Sequence, residues 1–226
     1  MYFHHVHPKL DHYTSLKPDD FERAIDLVLR LVGPAVDPAV LATFSCSLKL
    51  KGPTVLITFD DGYRDNLEYA LPILERFGIK AIFFVITGKV VQFPQNNLDS
   101  CKEYMTWDEL RDMHKFGHMV GAHTLSHPKL NMLSVKDAQR EIEESIFDVE
   151  KQIGSSPIHF AYPYGIIPQE EPNLPIGTLA FGTIKAQACS WAKKNHNIRR
   201  TYLPTGQLDK WARLCEGWRE QWFESQ

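Results

Sequence analysis

The stretch TFDDGYRD, residues 58–65, places two adjacent carboxylates and a glycine directly after the apolar run VLITF. The run is typical of a buried strand, and Gly62 lets the backbone turn sharply where the strand ends. Asp60 and Asp61 repel each other, and burial would strengthen that repulsion. Two interpretations are open: Asp61 caps the next helix while Asp60 is solvated, or the pair has a chemical function.

Strand-like and helix-like segments alternate through the chain from this stretch onward. An amphipathic segment follows it, and a β-branched and aromatic run comes next. Such alternation predicts an α/β fold, with a parallel sheet covered by helices and functional groups in the loops after the strands. We predict strands at residues 55–59, 80–86, 119–123, 158–165, 179–184 and 197–204, and helices at 66–78, 106–117, 134–154 and 209–226.

Helix boundaries are marked in two places. Thr106 and Glu109 have the spacing of a capping box, and Ser134 and Gly154 flank the clearest helix. The last helical segment carries one apolar stripe, formed by Trp211, Leu214, Cys215, Trp218 and Trp222. We expect this stripe to pack on the rest of the chain, although it could instead bind a partner.

Composition argues against several classes of partner. The 226 residues are 43% hydrophobic, enough for one sizeable core, and the net charge of −3 offers no basic face for nucleic acid. No run of about 18 or more apolar residues indicates a transmembrane segment. The opening MYFHHVHP lacks the pattern of a secretion signal, so we expect a cytoplasmic protein. Four widely spaced cysteines predict free thiols.

A second chemical motif lies in GAHTLSHPKL, where His123 and His127 are four residues apart after a predicted strand. A tight loop can point both imidazoles at one centre. Together with one carboxylate they would form a facial set for zinc or a related divalent ion. The other carboxylate could then accept a proton from the metal's water. The residues alone do not assign these two roles between Asp60 and Asp61.

The third motif is FAYPYG, residues 160–165, which ends a predicted strand in an irregular turn. Such a turn can aim a backbone N–H, here that of Tyr164, at a developing oxyanion. Aromatic and proline residues in a turn also occur for packing alone.

These motifs in this order resemble the polysaccharide deacetylases of the NodB type, carbohydrate esterase family four. TFDDG, the HTLSHP segment and the PYG turn carry the resemblance. It implies a distorted (β/α) barrel, expected to be seven-stranded, formed as a single domain by residues 1–226. It also implies one divalent metal ion, zinc by preference, with cobalt, manganese or nickel as alternatives, and hydrolysis of acyl groups on sugars.

The resemblance assigns a role to each motif residue. It makes Asp61, His123 and His127 the metal ligands. It makes Asp60 the general base and the Tyr164 N–H the oxyanion donor.

The sequence departs from the family at an arginine. Family members usually begin the third motif with an arginine that orients the catalytic aspartate, but Ala161 occupies that slot. We predict that Arg199 or Arg200, at the end of a late strand, supplies the guanidinium instead, and we take Arg200 as the candidate without excluding Arg199.

The family's late Leu-x-His motif, which carries the general acid, is also absent. The opening YFHHVHP resembles that of poly-N-acetylglucosamine deacetylases, in which the acid histidine comes first, and it places His4 in that role. In a strand, His5 and His7 would share the opposite face. His196 is the alternative general acid. Alternatively, the opening segment YFHHVHP is a surface strand whose histidines have no catalytic role.

The sequence therefore predicts removal of an N-acetyl group from an amino sugar. A cytoplasmic enzyme would act on a sugar nucleotide or lipid-linked glycan, as in assembly of a lipopolysaccharide O-antigen. There are three alternatives. The protein could be a deformylase or other amide hydrolase with the same metal centre, a catalytically silent sugar-binding domain, or a scaffold that uses the tryptophan stripe. The sugar, the acyl group and the oligomeric state do not follow from the sequence.

Overall fold

A curled parallel sheet of six short strands forms the centre of the computed structural model, which describes residues 1–41, 52–91, 104–187, 189–191 and 193–224. Its strands are β1 (Tyr2–Phe3), β4 (Thr58–Phe59), β5 (Ile82–Val85), β6 (Met119–Ala122), β7 (Phe160–Ala161) and β8 (Ala180–Phe181). They lie side by side in this order. A separate parallel pair consists of β2 (His5–Val6) and β3 (Ser15–Leu16).

A seventh segment links the two edges of the sheet. Ile198 forms a parallel bridge with Phe181 of β8, and the Thr201 carbonyl accepts a hydrogen bond of 2.9 Å from the Tyr2 N–H of β1. The predicted distorted barrel is therefore confirmed. Its seventh member is a bridge-forming segment within the predicted 197–204 strand, not a regular strand.

In the described part of the chain, five α-helices surround the sheet: α1 (Pro18–Leu31), α2 (Leu71–Arg76), α3 (Trp107–Lys115), α4 (Val135–Ile153) and α5 (Leu208–Glu224). The capping box at Thr106 and Glu109 is present, with reciprocal bonds of 3.1 and 2.8 Å. Helix α1 was not predicted, although its first-turn proline and amphipathic pattern are ordinary helix signals.

The predicted helix at 66–78 is split in two. A π-helical turn, Asn66–Ala70, precedes α2. Pro72 in the first turn of α2 lacks the N–H that a continuous α-helix would use, so the regular hydrogen-bond ladder cannot run through this point.

Alternate residues of the strands belong to two cores. Phe83 and Val85 of β5 pack in the cluster that includes the helix residues, whereas Ile82 and Phe84 pack in a smaller cluster with Phe181. This alternation is the period of two expected for a strand buried on both faces. The helices cover one face of the sheet, so the smaller cluster, on the other face, forms the interior of the barrel.

The C-terminal helix packs on α1. Trp211 and Cys215 are buried, and Leu214 and Trp218 are partly buried against the same core. The tryptophan stripe thus packs on its own chain, as expected; the side chain of Trp222 lies outside the described residues.

Cys189 and Cys215 are free thiols, and Cys46 and Cys101 fall outside the described part of the chain. No helix among the described residues is both long enough and apolar enough to cross a membrane.

Candidate active site

The motif residues meet at the carboxyl ends of the strands. Asp60 and Asp61 directly follow β4, His123 follows β6, and the turn Pro163–Gly165 follows β7 shortly after Ala161. Parallel strands place their carboxyl ends at one rim, so residues far apart in sequence share one site.

Asp61, His123 and His127 form a cluster with the dimensions of a metal site. One Asp61 oxygen, Oδ1, lies 3.4 Å from Nε2 of each histidine, and the three atoms lie within 4.8 Å of one another. Two imidazoles and one carboxylate leave coordination positions open for water and substrate.

The hydrogen bonds around this cluster fit a bound cation. The Asp61 Oδ1 atom is buried and has no hydrogen-bond partner among the described residues. His123 donates from Nδ1 to the Ala161 carbonyl oxygen at 2.7 Å, which leaves Nε2 of the neutral ring with its lone pair toward Asp61. An unpartnered carboxylate oxygen between two imidazole nitrogens is the arrangement that a divalent ion would satisfy.

The site is built from strained backbone. Asp61, Thr124, His127 and Tyr164 are the non-glycine residues with positive φ among those described, at 73°, 65°, 64° and 59°. Such conformations cost about 1–2 kcal/mol each and cluster at functional sites. Gly62, with φ 81°, is also required, because a Cβ there would lie 2.9 Å from the Val85 side chain.

The second carboxylate has a different environment. Both oxygens of Asp60 accept hydrogen bonds from Arg200, at 2.6 Å from Nη1 and 2.7 Å from Nη2. Arg200 also donates to the Gly182 carbonyl and to Thr58 Oγ1, each at 2.9 Å. Its guanidinium lies between the rings of Tyr2 and Phe84, at 4.9 and 5.4 Å from their centroids.

These contacts keep Asp60 ionised. Burial by itself would raise the pKa of Asp60, but the charge of Arg200 and its hydrogen bonds outweigh burial and hold that pKa below its ordinary value. Burial acts in the same direction on Asp61, but in the metal-free site the charge of a protonated His123, whose Nε2 lies 3.4 Å from Oδ1, outweighs burial and lowers the pKa of Asp61 as well.

Arg200, rather than Arg199, therefore contacts the aspartate that the missing motif arginine would have oriented. The contribution of Thr58 was not predicted. Its position two residues before Asp60, on the same strand face, was the available signal.

His4 directly follows β1 and is close enough to the site for the charges of Asp60, Asp61 and His123 to act on it. Burial lowers the pKa of His4 and outweighs the opposing effect of the two carboxylates. Its backbone carbonyl accepts a 2.7 Å hydrogen bond from Asn66 Nδ2.

The other candidate histidines contact groups outside this cluster. His5 is 2.6 Å from Asp65 and stacks on Tyr63, and His7 accepts the Leu10 N–H. His196 pairs with Glu171, at 3.2 Å.

Tyr164 lies in the turn beside the cluster of Asp61, His123 and His127, with its ring centroid 4.7 Å from that of His127. The neighbouring N–H groups of Gly165 and Ile166 donate to Tyr162 and Pro163. Among the described residues, no carbonyl accepts the Tyr164 N–H. That donor is free for another acceptor.

Comparison with known proteins places this arrangement in one family. Residues 47–173, more than half of the chain, match the family model described as polysaccharide deacetylase. The chain belongs to the polysaccharide deacetylase family. Peptidoglycan-N-acetylglucosamine deacetylase PgdA of Listeria monocytogenes is 32% identical over 54% of this chain and 24% of its own length. The poly-beta-1,6-N-acetyl-D-glucosamine N-deacetylase of Staphylococcus aureus is 26% identical over 74% of this chain and 60% of its own.

Two solved structures share the fold of this polysaccharide deacetylase family member. Streptococcus pyogenes deacetylase PplD in complex with acetate superposes with a TM-score of 0.71 at 20% identity, covering 100% of this chain and 96% of that one. IcaB from Ammonifex degensii gives 0.70 at 20% identity, covering 97% and 95%.

The geometry predicts one metal site among the described residues, which zinc would test. Wild-type protein should bind one equivalent of zinc. His127→Ala should weaken the zinc affinity by more than about 100-fold, because residues that only orient a metal ligand already contribute roughly 10–100-fold to metal affinity. Titration against a competing chelator measures this. The exposed His12→Ala is the matched control; equal affinity of wild type and His127→Ala would contradict the assignment.

Proposed function

We propose that the protein is a metal-dependent N-deacetylase that removes the acetyl group from an amino sugar of a surface polysaccharide. The observation that carries the proposal is the juxtaposition of two different carboxylates: Asp61 faces two histidines, and Asp60 is held by Arg200. Family membership and relatives whose names specify N-acetylated sugar polymers support the substrate class.

Asp61, His123 and His127 would hold the metal ion. Zinc suits two imidazoles and a carboxylate, although cobalt, manganese or nickel would accept the same donors. When bound, such an ion would lower the pKa of water and polarise a carbonyl.

Asp60 is proposed as the general base. Its ionised carboxylate is ready to accept a proton from the attacking water, and Arg200 fixes the plane of the acceptor oxygens through two hydrogen bonds. Because Thr58 and Gly182 hold Arg200 in place, rotation of Asp60 would break both of its hydrogen bonds to Arg200.

Charge develops on the acetyl oxygen as water adds to the carbonyl carbon. The Tyr164 N–H is proposed to donate to that oxygen. The C–N bond then breaks, and the leaving nitrogen must gain a proton because an amide anion is a very poor leaving group. His4 is proposed to give that proton from its protonated ring; the lowered pKa of His4 makes this ring a stronger acid while reducing the fraction of it that is protonated.

The finer substrate stays a prediction. Three further predictions rest on the sequence patterns alone. The substrate is a sugar nucleotide or a lipid-linked O-antigen intermediate, the protein is cytoplasmic, and residues 1–226 form a single domain.

Product analysis tests the proposal. Zinc-loaded protein should release acetate from N-acetylated glucosamine oligomers or sugar nucleotides, and Asp60→Asn should lose about 10²–10⁴ in kcat because the base is gone. Enzymatic acetate and formate assays on matched N-acetyl and N-formyl sugars measure the acyl preference. Release of formate alone, or full activity of Asp60→Asn, would refute the assignment.

Arg200 should matter through geometry as well as charge. Arg200→Lys keeps the positive charge but loses the paired hydrogen bonds, so kcat should fall by about 100-fold as the base loses its orientation. Steady-state kinetics together with thermal unfolding measure the effect. Arg199→Ala is the matched control; an equal loss in both variants would argue against a specific role for Arg200.

Leaving-group chemistry isolates the role of His4. His4→Ala should lose about 10²–10⁴ in kcat on an N-acetyl sugar, yet keep most of its activity on an aryl acetate, whose phenolate leaves without protonation. His12→Ala should behave as wild type on both substrates. Equal losses of His4→Ala on the amide and the ester would remove His4 from the role of acid.

A further inference from the structure

Glu141 is a buried carboxylate that the proposed chemistry does not use. It lies in the second turn of α4, is 9% exposed, and faces the loop between His123 and His127. Its two oxygens accept hydrogen bonds from a single residue of that loop: Oε1 from Ser126 Oγ at 2.7 Å and Oε2 from the Ser126 N–H at 2.9 Å.

Burial of this carboxylate needs a reason. A buried charge costs free energy, and a well-packed apolar side chain at the same position is often as stabilising or more so. The gain must therefore come from what the carboxylate holds. Ser126 directly precedes His127, so the bonds to Glu141 fix the backbone from which the His127 ligand projects.

The residues before Ser126 in this loop are also held. The Thr87 N–H donates to the Thr124 carbonyl at 3.1 Å, and the Gly88 N–H donates to the Leu125 carbonyl at 2.9 Å. A Cβ on Gly88 would lie 2.5 Å from that Leu125 oxygen, so the two backbones are in close contact. Together, the contacts of Glu141 with Ser126 and those of Thr87 and Gly88 with Thr124 and Leu125 form a clamp that holds the loop.

His127 needs such a clamp because its own conformation is unfavourable. Its φ of 64° is in the left-handed region, where a residue with a Cβ is strained, and its side chain is 21% exposed and thus less confined by packing than that of His123. Its N–H donates to Thr124 Oγ1 at 2.9 Å, which ties it to the same loop. Release of Ser126 would let this loop relax toward ordinary backbone angles.

We propose that Glu141 is a positioning residue that sets the His127 imidazole for metal binding by holding Ser126. The inference rests on the metal site of the proposed function and adds a residue to it. It predicts that loss of Glu141 weakens metal binding, in addition to any decrease in the stability of the fold.

The test compares four variants by two readouts, zinc affinity against a chelator and thermal unfolding of the metal-free protein. Glu141→Ala should weaken zinc binding by about 10–100-fold, the range for residues that orient ligands. Glu141→Gln should stay close to wild type, because its amide can accept the N–H and donate to the hydroxyl. Ser126→Ala, which removes one bond from an exposed residue, should give an intermediate loss. Glu144→Ala, exposed on the same helix, should change nothing.

A cobalt-substituted protein gives a spectroscopic check. Visible absorption bands of bound cobalt should change in Glu141→Ala and return in Glu141→Gln if the ligand geometry is what Glu141 controls. If Glu141→Ala does not fold, the zinc affinity of Ser126→Ala relative to wild type tests the proposal instead.

The outcomes separate this inference from the proposed function. If wild type binds zinc and the Glu141 and Ser126 variants bind it equally well, with only thermal stability lowered, the inference is overturned and the metal site stands. If wild type binds no zinc or cobalt, both are overturned.

Discussion

Arg200 reaches Asp60 from the segment that closes the barrel and meets both carboxylate oxygens at 2.6 and 2.7 Å. This ion pair joins β4 to the seventh member of the barrel through the interior, where Phe84 and Tyr2 flank the guanidinium. It also solves the electrostatic problem of the adjacent acids. Asp60 is balanced by a permanent cation, and Asp61 faces the two histidines, where a metal ion would bind.

Separate partners allow the two acids to have separate roles. A carboxylate fixed by a bidentate arginine is suited to accept a proton at one place, whereas the unpartnered Oδ1 of Asp61 is suited to coordinate an ion. The backbone makes this divergence possible, since Asp61 lies at φ 73° and so points away from the strand direction that Asp60 follows. Neighbouring residues thereby serve different parts of one site.

Strain and support are distributed around the rim of the barrel. The proposed ligand His123 is anchored by the Ala161 carbonyl, and His127 is held less directly, through a loop that contacts both Glu141 and Gly88. Ala161 belongs to the buried strand β7, and Glu141 belongs to helix α4. Thus the helical layer contributes to the site without entering it.

The motif residues, the alternation of strands and helices, and the capping box at Thr106 were readable from the sequence, because each depends on local spacing. The sequence also limited the replacement arginine to two neighbours and gave His4 as one candidate acid. Only the tertiary structure decided which arginine meets Asp60, since adjacent residues at 199 and 200 differ in the direction of their side chains across a barrel wall. The pairing of Glu141 with Ser126, 15 residues apart, likewise depends on how α4 packs against the rim, which no local pattern encodes.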